Sequence, residues 1–266
     1  MNKYNIRAIR NDLDSLIQSG SWNKFRLQFN AVSKNVELVK AVVEYRSKKK
    51  GDRSRTTSSY NDGTLLHSIC QRYSNPPVDV IESNVSVVPQ TVQKQDSRGC
   101  APLHVTLGSH SSSSSIQLVE CLLKHDVTTQ TLTMTNHDGD TPLLLAARKN
   151  PTLDILEMLV RADLSKKSLL MTSRKQRRTP LWYVAGNEWY AMSNDVMETL
   201  QFMIELTCLA LLSLDGRDIP SRFDRIRTND PLDENGHGDD CLLQATLKCS
   251  HLLRRYSRKI IQIILE

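Results

Sequence analysis

An all-α fold, a solenoid of stacked helix-turn-helix units joined by short turns, is predicted by two features of the sequence. A short motif returns four times, aligned on Thr64, Ala101, Thr141 and Thr179, with spacings of 37, 40 and 38 residues. The stretches after the motif place apolar residues at helical spacing, as in Leu153-Asp-Ile-Leu-Glu-Met-Leu-Val160 with Leu153, Ile155, Leu156, Leu159 and Val160 on one face. Helices this short are not stable alone, so stacking successive pairs is what buries their apolar faces. Composition agrees, because 39% hydrophobic and 24% charged residues over a length of 266 suit a soluble globular or solenoid protein and exclude a disordered tail.

From the amino terminus, Ile9 to Ile17 and Trp22 to Val43 are helical in pattern. Leu13, Leu16 and Ile17 share one face, and Leu38, Val39, Val42 and Val43 another. Residues 1–47 are therefore expected as a helical cap or a degenerate first unit. Residues 48–61, which include Lys48-Lys-Lys-Gly-Asp-Arg-Ser-Arg55, are too polar and too charged to pack a core and are expected as an exposed basic loop. Residues 62–266 are expected as the solenoid itself.

The four copies are Asp62-Gly-Thr-Leu-Leu-His67, Arg98-Gly-Cys-Ala-Pro-Leu-His104, Asp138-Gly-Asp-Thr-Pro-Leu-Leu144 and Arg178-Thr-Pro-Leu-Trp182. Each follows one physical logic. A Gly-containing or polar turn precedes a residue at the cap position, where Thr64, Thr141 and Thr179 suit the task and Ala101 stands in the second copy. Pro102, Pro142 and Pro180 then occupy the first helical position, where a missing N–H costs nothing. At these residues the sequence resembles the ankyrin-repeat family, whose hallmark is Thr-Pro-Leu-His-x-Ala after a β-turn at a period near 33 residues. The best copy, Asp138 to Ala147, has Leu144 where the family has His. The first keeps His67 without the Pro, the second keeps Pro102, Leu103 and His104, and the fourth has Trp182 at the His position. Spacings above the family period put extra residues in loops, at Ser111 to Ser115 and between Thr91 and Arg98.

The resemblance covers residues 62–190 by motif and the remainder by pattern. It implies an ankyrin-type solenoid in which His67 and His104 are structural, hydrogen-bonding within and between neighbouring turns. It also implies that the concave surface of turns and first helices binds another protein as a rigid scaffold, without a cofactor. Arg98, Asp138, Asp140, Arg177, Arg178 and Trp182 are the positions expected near that surface. Downstream, Asp195 to Leu214 reads as a helix longer than the family's ordinary one. A fifth unit is expected from Asp233, with Cys241, Leu243 and Gln244 in place of Thr, Leu and His. The chain ends inside the apolar run Ile260 to Leu265 without the polar cap a solenoid needs, so truncation there is expected.

No phosphate-binding Gly-rich loop, Gly-x-Ser-x-Gly elbow or His-Glu-x-x-His helix occurs. An EF-hand reading of Asp230 to Asp240 fails, since Pro231 falls at the first ligand position and Leu242 at the twelfth. His237, Cys241, Cys249 and His251 gather four metal-ligating types at spacings that match no familiar zinc finger, so no metal is expected. The six cysteines form no Cys-x-x-Cys pair and are expected to be reduced. With charged residues from Lys3 to Asp14 and no apolar run of about 18 residues, neither a signal peptide nor a membrane span is expected, and the location expected is the cytoplasm or nucleus.

A formal net charge of +6 argues only for non-specific attraction to anions. Three basic clusters, Lys48 to Arg55, Arg174 to Arg178 and Arg254 to Lys259, are separated along the chain, whereas a nucleic-acid binder gathers its basic residues on one face. The middle cluster precedes a motif and is expected on an exposed turn. Trp182, Tyr183, Trp189 and Tyr190 concentrate aromatic residues that serve either as interface anchors or as filling for an irregular unit. The expected function is non-catalytic protein binding, with a nucleic-acid-associated regulator using the basic loops as the alternative.

Overall fold

The computed structural model describes residues 3–46, 63–71, 76–109, 116–149, 153–174, 177–185, 202–203 and 207. The regular structure among these residues is helical, with no strand. The chain divides into two compact units, Met1–His137 and Asp138–Glu266. The boundaries expected at 47/48 and 61/62 both fall inside the first unit, and the division lies in the turn that opens the best motif copy. The loop expected at 48–61, the Ser111 to Ser115 run, the Arg254 to Lys259 cluster, Trp189 and Tyr190 lie outside the described residues. So do nearly all of the expected helix from Asp195 to Leu214 and the expected fifth unit with His237, Cys241, Cys249 and His251.

In the first unit, α1 (Lys3–Ser19), α2 (Trp22–Ser33) and α3 (Val36–Glu44) pack on one another. The pattern from Trp22 to Val43 predicts one helical stretch, but Asn35 divides it. Its backbone is extended and its side chain caps α3, accepting the Leu38 N–H at 3.0 Å. Leu13, Ile17, Phe25, Phe29, Val39, Val42 and Val43 are buried, with Phe25 and Phe29 stacked at 5.6 Å between ring centroids.

Two helix pairs follow, α4 (Leu65–Cys70) with α5 (Val78–Val87) and α6 (Pro102–Ser109) with α7 (Ile116–His125). First helix packs on first, α4 against α6, and second on second, α5 against α7. This like-on-like stacking buries the apolar stripe each helix carries, including Leu65, Leu66 and Ile69 on α4 and Leu118, Val119 and Leu122 on α7. Helices α1 and α3 pack on α4, so the amino-terminal helices cover the free side of the first pair.

Arg10 of α1 ties this covering in place. It is fully buried and hydrogen-bonded, through Nε to Asp14 Oδ2 at 3.0 Å, and through its terminal nitrogens to Tyr45 O at 2.7 Å, Ser68 Oγ at 2.9 Å and Gly63 O at 3.4 Å. A guanidinium survives burial only when its donors are met in this way.

In the second unit, α8 (Pro142–Arg148) packs on α9 (Leu153–Ala162), and α11 (Pro180–Ala185) packs on α8, again first helix on first. The short α10 (Lys167–Leu170) lies against both α8 and α11. Ile155, Leu156, Leu159 and Val160 of α9 are buried, while Leu153 is half-buried at its start. Further along, Met203 and Thr207 are buried one helical turn apart, and Thr207 Oγ1 donates to Met203 O at 2.6 Å.

Candidate functional site

Within each unit, the turns before the first helices project as fingers linked by their backbones. In the first unit the His137 N–H donates to Arg98 O at 2.9 Å, and in the second the Arg174 N–H donates to Asp138 O at 2.9 Å. Each finger closes on itself as well. Gly99 N–H reaches Asp96 O at 3.1 Å and Asp96 N–H reaches Cys100 O at 2.8 Å, while Ser173 N–H reaches Arg178 O at 3.2 Å. Asp96 clasps its turn, accepting from the Arg98 and Cys100 N–H groups at 2.8 Å each. Burial alone pushes the Asp96 carboxyl up, but those bonds and the Arg98 guanidinium hold it below its ordinary value.

The motif glycines are demanded by this arrangement. Gly99 and Gly139 have φ of +73° and +77°, the left-handed region that favours glycine. Space is also missing: a Cβ on Gly139 would stand 2.7 Å from Arg174 N, and one on Gly99 would stand 3.1 Å from His137 N. The next finger therefore approaches where a side chain would be. In the fourth copy the same position is Arg177, held at φ 50° despite its side chain.

At the base of the fingers, the cap position and the motif His share the task of satisfying the helix start. His67 Nδ1 accepts from the Thr64 N–H at 3.1 Å, and His67 Nε2 meets Cys100 O at 2.9 Å. His104 repeats both contacts, with the Ala101 N–H at 3.3 Å and Met134 O at 3.2 Å. Each ring thus accepts with Nδ1 and donates with Nε2, joining its own helix start to the next finger. In the other copies, where Leu144 and Trp182 replace His, the threonine caps directly: Thr141 Oγ1 accepts the Leu144 N–H at 3.2 Å and Thr179 Oγ1 the Trp182 N–H at 3.3 Å. Burial lowers the His67 pKa to about 4, so the ring is neutral at physiological pH and keeps this pairing.

A second repeated device escaped the sequence reading. After the second helix, Asp126-Val-Thr-Thr-Gln-Thr131 and Asp163-Leu-Ser-Lys-Lys-Ser168 fold alike, with Thr129 and Lys166 at φ 54° and 55°. Asp126 Oδ2 accepts the Thr131 N–H at 3.0 Å and the Thr131 hydroxyl, while Asp163 Oδ2 accepts the Ser168 N–H at 2.9 Å. Asp126 also accepts from Gln93 Nε2 at 2.9 Å, joining the two helix pairs of the first unit. The signal was present as Asp-[Val/Leu]-[Thr/Ser]-x-x-[Thr/Ser] recurring 37 residues apart, from Asp126 to Asp163.

The six positions expected at a binding surface separate into two groups. Arg98, Asp138 and Arg177 are exposed on fingers, with the Arg98 guanidinium 2.9 Å from Asp96 Oδ2. Arg178 and Trp182 are half-buried, with the guanidinium carbon 3.5 Å from the centre of the indole, and Trp182 meets Tyr183 edge to face at 5.5 Å. Asp140 requires correction as a surface contact. It is 1% exposed, and its carboxylate lies 2.8 Å from the Arg148 guanidinium, which ties the finger base to the last turn of α8. The thiols of Cys70 and Cys121 are pushed up by burial to about 12 and about 11, so neither is a nucleophilic thiolate at neutral pH.

Among the described residues no helix is long and apolar enough to cross a membrane. No curated protein matches the chain. The family model for the ankyrin repeat matches residues 138–168, the segment that runs from the Asp138-Gly-Asp140 finger through α8 and α9 to the Asp163 loop. The chain carries an ankyrin repeat at residues 138–168, within an all-α, ankyrin-like helical fold.

Proposed function

We propose that the chain is a non-catalytic protein-binding module that meets its partner through the finger turns and the first helices behind them. The contact residues are Arg98 in the first unit and Asp138, Arg177, Arg178 and Trp182 in the second. Ankyrin repeats mediate protein interactions, and the match at residues 138–168 gives the general role. The observation that carries the finer reading is the Arg178–Trp182 pair, a guanidinium stacked at 3.5 Å on a half-buried indole where a finger joins its helix. Arg and Trp are enriched among the residues that dominate binding energy, and the stack fixes both side chains before a partner arrives.

Residues 1–47 serve as the amino-terminal cap of the first unit, and binding needs no cofactor. The compartment proposed is intracellular, in the cytoplasm or the nucleus.

The test is affinity capture of the tagged chain from its native lysate, divided into nuclease-treated and untreated halves and washed at low and high salt. A discrete set of proteins surviving both treatments is expected, with recovery reduced by Trp182→Ala. Recovery that collapses with nuclease or modest salt transfers the function to the basic segments and to nucleic acid.

A further inference from the structure

Glu82 on α5 and Cys121 and His125 on α7 each offer one ligand atom, and the three atoms lie within 4.8 Å of one another. We propose that these three residues form a binding site for a divalent transition metal, zinc above all, that pins α5 to α7 within the first unit.

The argument begins with helix geometry. Cys121 and His125 are four residues apart on α7, so their side chains rise from one face, and that face packs on α5, which supplies Glu82. Thiolate, imidazole and carboxylate are the three ligand types zinc accepts. Bond lengths of about 2.0–2.3 Å draw such atoms to roughly 3.5 Å from one another, a contraction that side-chain rotations can supply. A hard cation such as magnesium or calcium does not suit a thiol and an imidazole.

A second observation points the same way. His125 Nε2 is buried and has no hydrogen-bond partner. A buried ring nitrogen left unpaired costs free energy, and a metal bond or a proton-mediated contact removes that cost. Glu82 is held only loosely, its Oε1 lying 3.7 Å from Lys124 Nζ, with both side chains largely solvated. It is available to turn inward. Cys121 is 4% exposed whereas the Glu82 side chain is about half exposed, so a metal held by the three residues would meet solvent on the Glu82 side, where water would supply a fourth ligand.

Coordination replaces the S–H bond of Cys121 by an S–metal bond, and the proton passes to solvent. The bare thiol holds that proton firmly, pushed to about 11 by burial and by the nearby Glu82 carboxylate. A dication reverses the local field and favours the thiolate.

The full chain, purified with chelator and reductant and then freed of chelator, is titrated with cobalt(II) as the spectroscopic stand-in for zinc. One equivalent is expected to give a thiolate-to-cobalt charge-transfer band and the d–d bands of a tetrahedral ion, both bleached by zinc. Cys121→Ser is expected to abolish the charge-transfer band, and His125→Gln to weaken binding at least tenfold. Lys124→Gln, which releases Glu82, is expected to tighten it severalfold. Zinc should raise the melting temperature of the unaltered chain and leave that of Cys121→Ser unchanged. Absence of the band in the folded chain overturns the proposal, as does a band that persists in both Cys121→Ser and His125→Gln. His125→Gln changes a half-buried side chain, so it decides the matter where Cys121→Ser fails to fold.

Discussion

Single residues in this chain are constrained mainly by backbone geometry at the fingers. Gly139→Ala must hold a side chain at φ +77° and place a Cβ 2.7 Å from Arg174 N, so a loss of at least about 2 kcal/mol is expected in urea denaturation. Gly108→Ala provides the contrast. That glycine sits within α6 with nothing within 4 Å of a built Cβ, and the substitution should stabilise by about 0.5–1 kcal/mol. Arg177 occupies at φ 50° the position that Gly99 and Gly139 take in the second and third copies, so Arg177→Gly should gain about 1 kcal/mol. The same change removes a proposed contact, so stability and partner affinity should move in opposite directions.

His67 gives a prediction in pH. Its folded-state pKa of about 4 lies below the ordinary value of 6.5, so between them the unfolded chain takes up a proton that the folded chain refuses. The contribution of this ring is complete above about pH 6.5 and declines as the pH falls toward 4, by an amount on the order of 3 kcal/mol. In His67→Leu, which copies what Leu144 does on α8, the urea midpoint should fall at pH 7 because the Thr64 N–H and Cys100 O lose a partner. Between pH 6.5 and 4.5 that variant's midpoint should vary less than the parent's. Equal slopes for the two proteins would show that His67 does not titrate in this window.

At the scale of elements, the loop after each second helix is built around one carboxylate. Burial pushes the Asp163 carboxyl up, yet hydrogen bonds from Ser165 and Ser168 outweigh it and hold the pKa below its ordinary value. Asp163→Ala leaves the buried Ser168 N–H without its acceptor at 2.9 Å, and a loss of about 1–3 kcal/mol is expected by thermal or urea unfolding. Hydrogen exchange should localise that loss to α10. These loops also mark the edge of what the sequence conveyed. The Thr, Pro and His positions were legible because their partners at the helix start lie three residues away and recur with the motif. Asp126 and Asp163 recur as regularly, but they stand outside the motif that located the repeats. Asp140 looked like a finger surface residue until its pairing with Arg148, on the far end of α8, was known. Glu82, Cys121 and His125 come together only through the packing of α5 on α7, which no local pattern encodes.

For the molecule as a whole, the helix class was legible and the division into two units was not. Periodicity reports which face of a helix is apolar, whereas unit boundaries depend on how many contacts cross a given turn. Arg10 belongs to this scale, because it joins α1 to the end of α3 and to the first finger through partners 35 to 58 residues distant. Arg10→Ala strands the buried Asp14 charge and frees Tyr45 O and Ser68, so a loss of about 3–5 kcal/mol is expected. Circular dichroism melts of this variant should show the transition of the first unit shifted to markedly lower temperature.

The ties between fingers end on main-chain atoms: His67 and His104 reach carbonyl oxygens, and Arg98 O and Asp138 O receive N–H groups from the following turn. A main-chain acceptor is the same whatever amino acid carries it. The outward side chains of the fingers can therefore be rewritten without disturbing how one turn holds the next. Selection for a new partner then acts on a surface whose changes leave the scaffold's own stability largely untouched. A library randomised at Arg98 and Asp138 should accordingly yield mostly folded variants with widely different binding preferences.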